Sequence, residues 1–228
     1  MIQSDTVKTP DGDIVIQPIN HASLVLRFGT LTVYCDPVGN PDLYKALPRP
    51  DLILITHEHG DHLNAETLAA LVAADTAIIG AKLALSQLQG DLAARSTVIA
   101  QGETQTFKGL RIEAIPAHNL AEERQKFHPK GVGNGYILSL GGKRLYVSGD
   151  TEDVPEMLAL KDIDVAFLPM NLPYTMTGKQ AADATRIFRP RIVYPFHYLD
   201  GGEEKVFAEA LKGEVGIEVR QRDWYAKD

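Results

Sequence analysis

With 228 residues, 44% of them hydrophobic, the chain is long enough to bury a substantial core and fits one domain over residues 1–228. A net charge of −7 with scattered Lys and Arg argues against a dedicated nucleic-acid binder, and a single cysteine, Cys35, excludes a disulfide framework or a cysteine-rich zinc ribbon. No stretch nears the roughly 20 apolar residues of a transmembrane helix, and MIQSDTVKTPDGD at the start lacks the features of a signal peptide, so a cytoplasmic location is expected.

The first predicted strands are DIVIQPI from Asp13, ASLVLRF from Ala22 and LTVYCD from Leu31, short runs rich in branched residues, with a hairpin turn at Gly29 between the last two. DLILIT from Asp51 is apolar on consecutive positions, as a strand covered on both faces would be. Asn64 is a suitable N-cap for a helix carrying Leu68, Leu71 and Val72 at helical spacing. TAIIG, AKLALSQL and STVIA then read as strand, helix and strand. Strands return in LRIEAIPAH, NGYILSL and KRLYVSGD, the last two joined by a hairpin at Gly141 and Gly142. DVPE from Asp153 reads as a capping box with Pro155 in the first turn, and DVAFLP as a buried strand. TGKQ from Thr177 reads as a second capping box, opening a helix that stops at Arg189 and Pro190. RIVYPFHY is a last strand and EEKVFAEALK from Glu203 a last helix. Strands followed by βα units thus occur twice. Two similar halves packed sheet against sheet, helices outside, give an α/β four-layer αββα sandwich.

The densest chemistry lies in ITHEHGDHL from Ile55, where His57, Glu58, His59, Asp61 and His62 follow an apolar strand. Gathering three imidazoles and an acid in one loop is costly unless a cation offsets their desolvation. Imidazole and carboxylate donors suit zinc, with manganese and iron as alternatives. His57 and His59 can point to one side of an extended segment, while Asp61 and His62, beyond the turn at Gly60, are offset enough to serve a second ion. Glu58 alternates away and reads as a bystander. No Gly-x-Ser-x-Gly elbow is present, and GVGNG from Gly131 leads into a strand rather than a helix, so it is no nucleotide fingerprint.

THEHGDH resembles the signature of the metallo-β-lactamase superfamily. INHASLVLRFGTLTVYCDP, SGDT, FLPMNLPYTMT and YPFHY are most similar to its compact branch of L-ascorbate-6-phosphate lactonases and N-acylphosphatidylethanolamine-hydrolysing phospholipase D. The resemblance implies that His118 in IPAHN completes the first site, that Asp150 in YVSGDT bridges, and that His197 in YPFHY joins the second. Site one would be His57, His59, His118 and Asp150; site two would be Asp61, His62, His197 and Asp150. His21 in INHAS is expected beside the site, as a support or substrate contact. His128 and Lys130 lie in FHPKGVGNG, either solvent-exposed or overhanging the metals with Lys130 on an anionic substrate group. Tyr174 and Met176 could line a pocket or pack in the core, whereas Thr177 needs only its helix-cap role.

The implied activity is that of a binuclear metal-dependent hydrolase. A hydroxide shared by two divalent ions, zinc foremost, would attack a small or lipid-like ester, a phosphodiester or a lactone, with Asp61 as ligand and orienting group. An iron enzyme acting on oxygen or sulfur species and a non-catalytic metal-binding protein are the alternatives.

Overall fold

The computed structural model describes residues 4–199 and 201–225. Its first sheet opens with an antiparallel meander of β1 (Asp5–Thr9), β2 (Gly12–Asn20), β3 (Ser23–Phe28) and β4 (Leu31–Cys35). It continues in parallel through β5 (Leu52–Ile55), β6 (Ala77–Gly80) and β7 (Ser96–Val98), with α1 (Ala65–Leu71), α2 (Lys82–Leu85) and α3 (Gly90–Ala94) as crossovers. The second sheet repeats the plan: β8 (Thr104–Phe107), β9 (Leu110–Ala117), β10 (Gly133–Leu140) and β11 (Lys143–Val147) are antiparallel. Parallel strands β12 (Val165–Pro169), β13 (Ile192–Phe196) and β14 (Glu218–Val219) follow, linked by α4 (Pro155–Leu158), α5 (Gly178–Phe188) and α6 (Glu203–Ala210). Both sheets have seven strands in sequential order. The two similar halves and the αββα layering expected from the sequence are therefore present.

Three hydrophobic layers separate the four structural ones, and the LILI run shows why. Leu52 and Leu54 face the second sheet in a core shared with Tyr136, Leu138, Val147 and Phe167. Ile53 and Ile55, on the opposite side of the same strand, pack under α1 and α2 with Leu68, Leu71 and Leu85. All four side chains of this strand are fully buried, and each contributes about 1.5–3 kcal/mol by leaving water. The third layer joins β11, β12 and β13 to α4, α5 and α6 through residues such as Tyr146, Ala166, Val193, Met157, Ala181 and Phe207.

Local signals held where they were chemical. Asn64 Oδ1 accepts from Thr67 N–H at 2.9 Å and Thr177 Oγ1 from Gln180 N–H at 3.0 Å. The hairpin between β10 and β11 turns at Gly141 and Gly142 with φ of +55° and +70°, a primed turn that suits glycine. The capping box at Asp153 does not form: α4 is capped at Val154 without a side-chain bond, and Asp153 instead accepts from the Gln180 side chain at 2.5 Å. That diversion also leaves the box at Thr177 half made. Among the described residues, no helix is long and apolar enough to cross a membrane.

Candidate metal centre

The carboxyl ends of β5, β11 and β13 and the turn between β2 and β3 converge at one edge of the sandwich, where parallel strands leave their ends free for ligands. Three groups form there. His57, His59 and His128 bring one ring nitrogen each within 4.8 Å of one another, as do the ligand atoms of His57, His62 and Asp150, and of His21, Asp61 and His197. Asp150 stands between them. Its Oδ1 lies 3.3 Å from His62 Nε2, and its Oδ2 lies 3.3 Å from His128 Nε2, 3.1 Å from His197 Nε2 and 3.9 Å from His57 Nε2.

The outer nitrogens of these rings are held so that the inner ones face each other. Asp36, at the end of β4, accepts from His62 Nδ1 at 2.7 Å, from the Thr56 hydroxyl at 2.6 Å and from the Thr56 N–H at 2.8 Å. Because the Thr56 hydroxyl is donated to Asp36, its oxygen is free to accept from His57 Nδ1 at 3.0 Å. One buried carboxylate thereby orients two rings. His128 Nδ1 donates to the Tyr174 carbonyl at 3.0 Å. His21 Nε2 donates to Asp61 at 3.1 Å, and its Nδ1 accepts from the Tyr225 hydroxyl at 2.7 Å. The backbones of His21, Asp36 and His197 all take left-handed φ values of 54°, 44° and 51°, so about 1–3 kcal/mol of strain per residue is concentrated at this edge. Asp36→Asn is expected to weaken metal binding about 10- to 100-fold, because the amide cannot accept from all three donors. Competition against a chromophoric chelator measures this, and unchanged affinity with an intact circular dichroism spectrum would contradict it.

Electrostatics agree with a cation at the centre. Burial holds His57 well below the usual imidazole range, assisted by the neighbouring His62. Burial also opposes charge on His62 and His197, yet Asp150 and Asp36 lift His62 well above that range, and Asp150 and Asp61 lift His197 to about 9. Asp150 is driven well below ordinary carboxylates, against its own burial, by His197 and His62. Asp61 is lowered, again against burial, by the neighbouring His197 and by its bond to His21. The Nε2 atoms of His57, His62, His128 and His197 and Oδ1 of Asp150 are buried without a hydrogen-bond partner. Buried polar atoms are rarely left so, and a set of imidazole nitrogens around one carboxylate fits divalent ions.

A family model described as Beta-lactamase superfamily domain matches residues 15–197. The chain belongs to the metallo-β-lactamase superfamily. A UPF0173 metal-dependent hydrolase of Nitratidesulfovibrio vulgaris is 33% identical over 191 residues, covering 78% of this chain and 77% of the relative. A solved structure from Parabacteroides distasonis assigned as a metal-dependent hydrolase is 44% identical with a TM-score of 0.89, covering 97% of this chain and 99% of that one. Igni18, a metallo hydrolase of Ignicoccus hospitalis, shares the fold at 23% identity and a TM-score of 0.75, over 91% of this chain and 94% of its own. The protein is thus a metal-dependent hydrolase of the metallo-β-lactamase superfamily.

Within this metallo-β-lactamase fold, His57, His59, Asp61, His62, Asp150 and His197 lie at one edge, but not in the two expected sets: His62 groups with His57 and Asp150, Asp61 and His197 group with His21, and His118 does not join them. Its N–H and carbonyl are tied to Thr151 and Glu152, and its charged neighbours are Glu156, Lys130 and Glu152. His128 takes the expected place. The antiparallel register pairs Ala117 with Gly133, so the intervening chain loops back, and the Asn119 N–H closes it onto the His128 carbonyl at 2.9 Å. Buried Glu152 secures this loop by accepting from the Leu120 and Ala121 N–H groups at 2.6 and 2.8 Å. For two further residues the site reading does not hold and the alternative does. Met176 is fully buried in the core with Met157 and Met170, where its apolar chain packs, and Lys130 is exposed but outside the cavity above the centre. Tyr174 and His21 do line that cavity, and Glu58 stays off it. Asp36 and Tyr225 were not anticipated. The signal for Asp36 was its place at a strand end in YCDP, the position at which ligands appear on neighbouring strands.

Proposed function

We propose that the protein hydrolyses small or lipid-like esters, a phosphodiester or a lactone, at a centre of two divalent ions. One observation carries this reading: four buried imidazole nitrogens and a carboxylate oxygen converge without partners. His57, His59 and His128 would hold one ion, Asp61, His62 and His197 the other, with Asp150 shared. Zinc matches the donors best, and manganese or iron would be accepted by the same set. Ions so held polarise an ester and bring the pKa of a water molecule to about 7.

The chain's own groups then divide the remaining work. Asp61 has 49% of its side chain exposed and lines the cavity, so its carboxylate can orient the attacking water. His21 and His197 contact its Oδ2 at 3.1 and 3.4 Å and fix its direction. Asn20, Asn64 and Asn171 offer neutral amides to the substrate. Among the described residues, the cavity wall holds no serine, cysteine or lysine, which agrees with attack by water rather than by a side chain.

Elemental analysis combined with assays on phosphodiester and lactone panels tests this. Two metal ions per chain are expected, and Asp61→Ala should lower kcat by about 10²- to 10⁴-fold. Wild-type protein holding two metals without turnover above the variant would sink the reading. A single iron with oxygen consumption would replace it by the iron-enzyme alternative.

A further inference from the structure

The cavity above the centre measures about 800 Å³, room for a ligand well beyond a bare ester group. Its floor is imidazole and carboxylate. Its walls are Val38, Phe127, Tyr174, Leu199 and Tyr225, interrupted only by the neutral amides and backbone, and no lysine or arginine lines it among the described residues. The three cations on the adjacent loop stay off the wall, Lys130 being exposed outside the cavity. Arg124 pairs with buried Glu152 and donates to the Thr175 carbonyl, and Lys126 lies 5.0 Å from the centroid of the Phe127 ring rather than on the wall. The apolar surface also continues outward. Leu172 and Tyr174, after β12, and Leu199, after β13, are 46%, 43% and 48% exposed, and Tyr174 and Leu199 also line the cavity.

An anionic group beyond the reacting one would therefore lose its hydration against apolar walls, with half-exposed Asp61 nearby and no lysine or arginine in return. An apolar substituent would lose nothing and would cover Phe127, Tyr174 and Leu199. Resting on the hydrolase reading above, we infer that the site takes esters and lactones with an apolar substituent and no second anionic group, and disfavours sugar phosphates and nucleotides. Hydrolysis adds one water across the acyl C–O bond, leaving an alcohol, a carboxylate and a proton released to solvent.

The zinc-loaded full chain should be assayed on p-nitrophenyl esters from acetate to octanoate and on the octanoate analogue ending in a second carboxylate. Bis(p-nitrophenyl) phosphate and a matched lactone series complete the panel. The expected kcat/KM rises about two- to fourfold per added methylene, the range set by burying each CH2, and falls about tenfold or more with the terminal carboxylate. Leu199→Lys, at an exposed position, should improve the carboxylate-bearing ester about fivefold relative to octanoate by supplying the missing cation. A flat chain-length series, equal use of the carboxylate-bearing analogue, or an unchanged ratio in Leu199→Lys overturns the inference while leaving hydrolysis intact. No turnover of any ester, lactone or phosphodiester overturns the hydrolase reading, and the inference falls with it.

Discussion

Asp150→Ala should carry little bound metal and lose activity by about three orders of magnitude or more, the largest effect expected of any single substitution here. The carboxylate lies 3.1–3.3 Å from the ring nitrogens of His62, His128 and His197, so it touches a member of each group that could hold an ion. Alanine is the informative replacement, because asparagine keeps an oxygen that can still ligate. The metal-free protein offers a second readout. With its pKa raised to about 9, His197 contributes stability that is fully present below about pH 6.5 and is lost as pH rises through 9. Removing Asp150 removes the main attraction behind that shift, so this decline should flatten in urea titrations of the chelated variant. An Asp150→Ala protein with two metals and wild-type turnover would contradict the assignment of Asp150 as the shared ligand.

Gly178→Ala is expected to destabilise the fold by about 3 kcal/mol, the upper range for overpacking, lowering Tm by about 6–12 °C in a chain of this size. A β-carbon at this position would lie 2.2 Å from the Glu203 carbonyl oxygen and 2.9 Å from the Phe207 nitrogen. Both are backbone atoms of α6 and cannot swing aside. The helix would have to retreat, withdrawing the fully buried Phe207 from its layer. Lys179→Ala, exposed and next in sequence, should move stability by no more than about 0.5 kcal/mol. Calorimetry of the two variants side by side decides the matter, and equal melting temperatures would count against close packing of α5 on α6.

Much of this was legible in the sequence where cause and effect are neighbours. The LILI strand, the Asn64 and Thr177 caps and the Gly141–Gly142 turn are local chemistry, and each appears in the fold. His57, His59, Asp61 and His62 share one loop, so spacing alone groups them. The rest depends on how distant segments meet. His118 and His128 sit at opposite ends of one returning loop, and spacing cannot choose between them, since the choice is made by Asn119 closing the loop and Glu152 pinning it. Asp36 acts through a second residue, Thr56, and Tyr225 arrives from the far end of the chain with its hydroxyl also accepting the Leu199 N–H at 2.9 Å. Met176 and Tyr174 look alike in sequence. Only the turn of the backbone sends one into the core and leaves the other at the mouth.

The repeated sheet plan has a consequence for how the protein acquires its metal. His57, His59, Asp61 and His62 belong to the first half, and His128, Asp150 and His197 to the second. On the ligand assignment proposed above, neither half would supply a full coordination set: the shared carboxylate would come from one and most of the imidazoles from the other. On the two-ion reading, tight binding would wait until the halves have docked, and from then on the ions would act as a clasp across the seam, adding RT ln(1 + [metal]/Kd) to the work of pulling the halves apart. Chelation would loosen the seam before it disturbed either sheet.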